Sequence, residues 1–207
     1  MKERPILFSS PMVRAILDGR KTVTRRVVKP KHLSYIDEHQ GFREDCNAEV
    51  CPYGQPGDRL WVRETWAPQA DCEGSAHRWT AGLEGSGAGP RPITHYRADG
   101  GDPWVSRWRP SIHMPRWASR ILLEIAAVRV ERLNDISEED SIAEGVFKKT
   151  GTTSVGDIVE TIDRGEMIYT NHGQARMEYK LLWESINGPG SWAANPWVWV
   201  IEFRRVK

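Results

Sequence analysis

The sequence predicts an α+β fold built on a small, largely antiparallel sheet or barrel, with three helices at its edges. Three observations carry that expectation. Short β-branched and tryptophan-rich runs stand at both ends of the chain, "PILFSS" at the start and "PWVWVIEFRRV" at the close, and read as strands. Apolar residues recur at helical spacing in "MVRAILDGR", "DISEEDSIAEGV" and "QARMEYKLLWESI". No stretch repeats another.

Taken in order, residues 5–10 form a strand, and Ser10 and Pro11 follow as N-cap and first helical residue. Met12, Val13, Ile16 and Leu17 share one face of the first helix, and Gly19 fits the position that ends it. "KTVTRRVV" then reads as a strand, with Thr22, Thr24 and Arg26 on one side and Val23, Arg25 and Val27 on the other. Residues 30–57 are rich in Pro and Gly and read as irregular. In the strand 58–66, Leu60, Val62 and Glu64 share a face, and Trp61, Arg63 and Thr65 share the opposite one. A Gly-rich loop at 82–92 and a strand at 93–98 follow. Residues 120–133 read as one long strand or a bent pair. The second helix, 135–146, starts on Ser137, carries acids in its first turn, buries Ile142 and Val146, and stops at Gly145. Residues 147–171 lack a clear pattern; a third helix covers 174–186. In the closing strand Trp197, Trp199, Ile201 and Phe203 share a side.

A chain of 207 residues with 39% hydrophobic content supports one sizeable core, so a single domain over 1–207 with insertions is expected. No apolar run approaches membrane-spanning length, and the start is too short in apolar residues for a secretory signal. A cytoplasmic protein without membrane contact is therefore expected. Cys46, Cys51 and Cys72 are irregularly spaced, and no second paired motif joins them with His39 or His77, so reduced thiols without metal are the expectation. A formal charge of +1 argues against a general duplex-DNA binder. The charge is uneven, however: residues 1–31 hold nine Lys/Arg against Glu3 and Asp18, an excess of +7. A local basic patch follows from that imbalance.

Four places carry candidate chemistry. In "GRKTVTRR" (residues 19–26), a threonine hydroxyl becomes a nucleophile only when a base takes its proton. Lys21 becomes such a base when burial and the neighbouring Arg20, Arg25 and Arg26 lower its pKa. Thr24 and Arg26 beside it suit an activated hydroxyl and an oxyanion contact; a solvated, edge-protecting strand start is the plain alternative. Glu144 sits in the last helical turn, where the macrodipole disfavours an anion by about 0.3–1 kcal/mol, a place suited to a group that must at times hold a proton. Asp140, Ser141 and Glu144 share the face opposite Ile142 and Val146; the plain alternative is a solvated acidic face. Glu64 lies on the Leu60–Val62 side and is expected to pair with an arginine. "WRPSIHMPRW" (108–117) places Trp108 and His113 in a stiff loop suited to stacking a base, or to packing. GxGxxG, Walker, HExxH and GxSxG motifs are lacking, so no cofactor is expected.

"ILFSSPMVRAILDGRKTVTRR", "GDRLWVRETW", "RPSIHMPRWASRI", "ISEEDSIAEGV" and "NPWVWVIEF" resemble, in that order, the ASCH-domain family, most closely its longer phage and prophage members. The resemblance covers about half to two-thirds of the chain, with insertions at about 30–56, 67–105 and 147–172. It implies a PUA-like fold, a small, mostly antiparallel β-barrel with flanking helices and a cleft linked to RNA or modified nucleosides. Small bacterial members are amidohydrolases that remove the acetyl group of N4-acetylcytidine; others bind RNA, and some are described as ribonucleases. Their Lys, Thr, Arg and Glu fall here on Lys21, Thr24, Arg26 and Glu144. The expectation is a nucleoside- or RNA-directed amidohydrolase with no cofactor and no obligate protein partner. Lys21 is the base in this reading, Thr24 the nucleophile or the residue that positions water, and Glu144 the proton donor. Arg25, Arg26, Glu64, Trp108, His113 and Trp197 are its substrate contacts. A non-catalytic RNA-binding module and a ribonuclease are the alternatives; the first predicts salt-sensitive RNA affinity without turnover, the second RNA cleavage lost on changing Lys21 or His113.

Overall fold

The computed structural model describes residues 1–30, 32, 51–69, 93–100, 105, 107–146 and 174–206. The Gly-rich loop at 82–92, the weakly patterned 147–171 segment, Cys46, Cys72, His39 and His77 lie outside the described residues. The fold is mixed α/β. Strands β1 (Glu3–Leu7), β2 (Val23–Val27), β3 (Arg59–Arg63), β6 (Leu122–Arg132) and β7 (Trp197–Arg205) form one sheet in the order β1-β3-β6-β7-β2. Only β1 and β3 run parallel; the other pairs are antiparallel. β4 (Trp66–Pro68) and β5 (Thr94–Tyr96) form a separate two-stranded sheet. No closed ring of paired strands forms among the described residues, so β1 and β2 are the two edges. A guanidinium N–H of Arg26 on β2 nevertheless donates to the Leu7 carbonyl of β1 at 2.7 Å, which draws the two edges together.

The alternation read in "PWVWVIEFRRV" divides the interior. Trp199, Ile201 and Phe203 face one hydrophobic cluster, joined by Ile6, Leu60 and Val62. Val198 and Val200 face a second, with Val23, Leu133, Tyr179 and Trp183. Helix α1 (Ser10–Leu17) inserts Val13 and Ile16 into the first cluster. Helix α3 (Gln174–Asn187) covers the second with Tyr179 and Trp183. β6 serves both halves of the sheet because its register shifts between Ile125 and Ala127. Leu123 and Ile125 before that bulge, and Val128 and Val130 after it, all reach the first cluster. An unbroken strand would send the second pair to the opposite face. The run 120–133 is thus one strand with a bulge rather than a bent pair.

Three expectations need correction. The N-cap of α1 is Ser9, with Ser10 already helical. The run 58–66 splits: β3 ends at Arg63 and Trp66 starts β4, while Leu60, Val62 and Glu64 keep their shared buried face. The largest change concerns helix α2 (Glu138–Ala143). Ser137 caps it as expected, its hydroxyl accepting from the Asp140 N–H at 3.0 Å. Ile142 is exposed, however, while Ser141 and Glu144 are buried. The helix turns its polar face inward because cations wait there to receive it.

No helix among the described residues is long and apolar enough to cross a membrane.

Gly145 closes α2 with φ of +79°, in the left-handed region that side chains disfavour by about 1–2 kcal/mol. A Cβ at Gly145 would also lie 2.8 Å from the Lys21 Cβ and 2.9 Å from that of Ala15. Gly19, at φ of +73°, has open space where its Cβ would go. Urea unfolding is therefore expected to show Gly145→Ala costing clearly more than Gly19→Ala. Equal losses would mean that α2 does not press on Lys21 as described.

Candidate functional site

The stretch Arg20–Thr22 receives the last carbonyls of α2 one by one. The Thr22 N–H donates to the Ala143 carbonyl at 2.9 Å, the Lys21 ammonium to that of Glu144 at 2.9 Å, and the Arg20 guanidinium to that of Gly145 at 3.3 Å. A helix C-terminus leaves such carbonyls without partners and carries partial negative charge, so cations are favoured there. The same geometry carries Lys21 out of water: its side chain is fully buried. All three ammonium hydrogens are committed, the other two to the Val23 carbonyl at 2.7 Å and the Glu144 carboxylate at 2.6 Å. The Phe8 ring lies 5.6 Å from the ammonium. Burial pushes the Lys21 ammonium below the ordinary lysine range, although the Glu144 carboxylate pulls the other way; Arg26 and Arg25 add to the lowering.

Glu144 is held from a second side by Arg25, whose Nη1 donates to Oε1 at 3.4 Å. Arg25 itself is buried, and donates to Glu131 of β6 and to Asp140 of α2, each at 2.5 Å. Burial disfavours this guanidinium's charge, but Glu144, Glu131 and Asp140 more than offset that and hold it firmly protonated. Arg129 extends the network by bonding Glu131, Asp140 and Glu202. Removing one partner of a buried ion pair costs about 3–5 kcal/mol, because the other charge is left without compensation. Such a network therefore tolerates little change. Tyr179 of α3 faces Glu144 as well; burial raises its phenol well above the usual range, and the Glu144 charge adds to that.

Two chambers open on this cluster. The smaller, of about 60 Å³, is lined by Thr24, Arg25, Arg26, Glu144, Tyr179 and Trp183, among others. The larger, of about 370 Å³, runs between the start of α1, the end of α2 and α3. Glu144, Met12 and Leu182 belong to both walls. The structure thus brings together Lys21, Thr24, Arg25, Arg26 and Glu144. Lys21 stands behind Glu144 rather than on either chamber wall.

Glu64, Trp108, His113 and Trp197 line neither chamber. The Glu64 carboxylate is buried and bonds Arg120 at 3.0 and 3.2 Å, as its face predicted. Arg120 also bonds Asp99 and stacks 3.9 Å from the Tyr96 ring centroid, which ties β3 to β5. Trp108 stacks with Arg97, and Trp197 with Arg132. His113 is exposed in a short turn next to Ile112 and Met114, whose carbonyls Arg63 holds. Sequence reasoning missed Tyr179 and Trp183. Their signal was present: Tyr179, Leu182, Trp183 and Ile186 recur at helical spacing in "QARMEYKLLWESI", and all four line the small chamber.

Comparison with family models, with curated proteins and with solved structures finds no match for this chain.

Burial raises the Glu64 carboxyl above its ordinary 4.5, and the Arg120 bonds counter that only in part. The native state therefore keeps this proton to higher pH than the unfolded chain does. Stability held below pH 4.5 is lost as pH rises through the native value. Measured by urea unfolding between about pH 4 and 7, the wild-type protein is expected to lose stability relative to Glu64→Gln as pH rises. A difference that is flat, or that grows with pH, contradicts the burial assigned to Glu64.

Proposed function

We propose that the chain is a nucleoside-directed amidohydrolase that removes the acetyl group from N4-acetylcytidine or a related modified nucleoside. One observation carries the reading: a fully buried Lys21–Glu144 ion pair stands at a chamber whose lining includes both Thr24 and Glu144. Such a pair is suited to moving a proton, since burial lowers the hold of the Lys21 amine on its proton. The small chamber, of about 60 Å³, has room for several waters and suits a small acyl group. The order and spacing of Lys21, Thr24, Arg26 and Glu144 also resemble the ASCH amidohydrolases. The edge-to-edge bond from Arg26 to Leu7 supports a PUA-like curl of the sheet.

The steps balance. Within the pair, the proton between Lys21 Nζ and Glu144 Oε2 moves to the carboxylate and leaves a neutral amine. Lys21 takes the Thr24 hydroxyl proton as Thr24 Oγ attacks the acetyl carbon. Arg26, on the chamber wall, stabilises the oxyanion. Glu144 then protonates N4 as the C–N bond breaks, releasing cytidine and leaving acetyl-Thr24. Water next gives a proton to Glu144 and its oxygen to the acyl carbon, while Lys21 returns a proton to Thr24 Oγ. Acetic acid leaves and gives its proton to solvent, and the Glu144 proton returns to Lys21 to restore the ion pair. If Thr24 positions water instead, the same two proton carriers serve one direct attack.

The test is incubation of purified protein with N4-acetylcytidine, reading cytidine by mass spectrometry. Turnover is expected, and Lys21→Ala, Thr24→Ala and Glu144→Gln should each lower kcat/KM by about 100-fold or more. Thermal melts of each variant separate lost chemistry from lost fold. Absence of cytidine release by the wild-type protein, or a folded Thr24→Ala that keeps the full rate, overturns the proposal.

A further inference from the structure

The larger chamber is not needed to hold an acetyl group, and its wall has a distinct chemical character. Met12, Val146, Leu181 and Leu182 give it apolar surface. Its charged lining residues, among those described, are Glu144 and Glu178, with no described Lys, Arg or His beside them. Glu144 is neutralised by Lys21 and Arg25. Glu178 differs, for it is half-buried on α3 and its carboxylate has no ion pair or hydrogen bond with any described residue. A partly desolvated carboxylate without a partner accepts hydrogen bonds strongly and repels anions. The cations of the small chamber do not line this one. Arg25 is consumed by three carboxylates, and Arg26 keeps its charge on the wall of the smaller chamber.

We infer that the larger chamber is the nucleoside subsite and that Glu178 makes it select an uncharged, hydroxyl-bearing nucleoside over a phosphorylated nucleotide or an RNA chain. The ligand identity rests on the hydrolase reading. The apolar wall takes the faces of the base, Glu178 accepts from the ribose hydroxyls, and a phosphate on the sugar meets a carboxylate instead of a cation. A chamber of about 370 Å³ is within the usual range for small-molecule sites. The reaction thereby acts on free nucleosides, and a reaction class that releases them from RNA or removes their phosphate must supply the substrate.

The experiment is equilibrium binding of cytidine and of cytidine 5′-monophosphate to the full chain by calorimetry. It is done on the wild type, Glu178→Gln and Glu178→Lys, with melts as a fold control. Cytidine is expected to bind at least about tenfold more tightly than the monophosphate. That gap should shrink in Glu178→Gln, reverse in Glu178→Lys, and narrow with added salt. Equal or tighter binding of the monophosphate by the wild type, a gap unchanged in Glu178→Gln, or no binding of either ligand overturns the inference. Because the readout is binding, the two proposals separate. Discrimination at Glu178 without acetylcytidine turnover sinks the hydrolase alone, and turnover without discrimination sinks the subsite alone.

Discussion

A lysine ammonium with no access to water must find three acceptors and a counter-charge, and the arrangement around Lys21 supplies all of them. Two acceptors are the backbone carbonyls of Val23 and Glu144, and the third is the Glu144 carboxylate. That requirement explains features that otherwise stand apart. Helix α2 must end at Lys21, so a glycine follows Glu144, where a Cβ would collide with the Lys21 and Ala15 side chains. α2 must turn its acidic face inward, so Ser141 is buried while Ile142 is left in solvent. Strand β2 must begin within two residues of Lys21, so that the Val23 carbonyl accepts from the ammonium while the Val23 side chain enters the second cluster. Desolvating a charged pair is unfavourable unless its geometry and hydrogen bonds are complete. Here they are complete from every side.

The same constraint places the chambers. Glu144 cannot leave Lys21, and Arg25 holds its other oxygen, so one carboxylate is fixed where α1, α2, β2 and α3 converge. The two cavities share it as a common wall. Charge is then distributed unevenly along the cleft. At the small end Arg25 is matched by Glu131, Asp140 and Glu144, and at the large end Glu178 has no ion pair with any described residue. A cleft of that polarity suits a neutral ligand with hydroxyl groups better than a polyanion.

Much of this was legible from residue types and spacing. "PWVWVIEFRRV" announced a strand whose two faces build different clusters, and Ser137 announced the start of α2. The Leu60–Val62–Glu64 face foretold a buried carboxylate paired to an arginine. Lys21, Thr24, Arg26 and Glu144 were singled out together across more than a hundred residues of chain. What escaped was whatever depends on a partner distant in sequence. Periodicity assigns polar faces to solvent, so the inward turn of α2 was invisible without knowing that Lys21 and Arg25 lay opposite. Arg25, placed on the Val23 side, gave no sign that Glu131 and Asp140 would bury it. A bulge near Ala126 leaves no mark on composition, since alanine fits either face. Trp108 and His113 had the residue types of a base-binding loop, yet Trp108 stacks on Arg97 and His113 faces solvent.

The central claim is that Lys21 and Glu144 form a buried pair whose proton is available for chemistry. Its most direct test is a pH titration of the Lys21 side chain by NMR, with isotope-labelled lysine and assignment through Lys21→Arg. Lys21 is predicted to titrate below the ordinary 10.5, with burial as the leading cause. It should fall further in Glu144→Gln, since the carboxylate is what holds the ammonium up. A Lys21 that titrates at or above 10.5 in the folded protein, or that is unmoved by Glu144→Gln, contradicts the account.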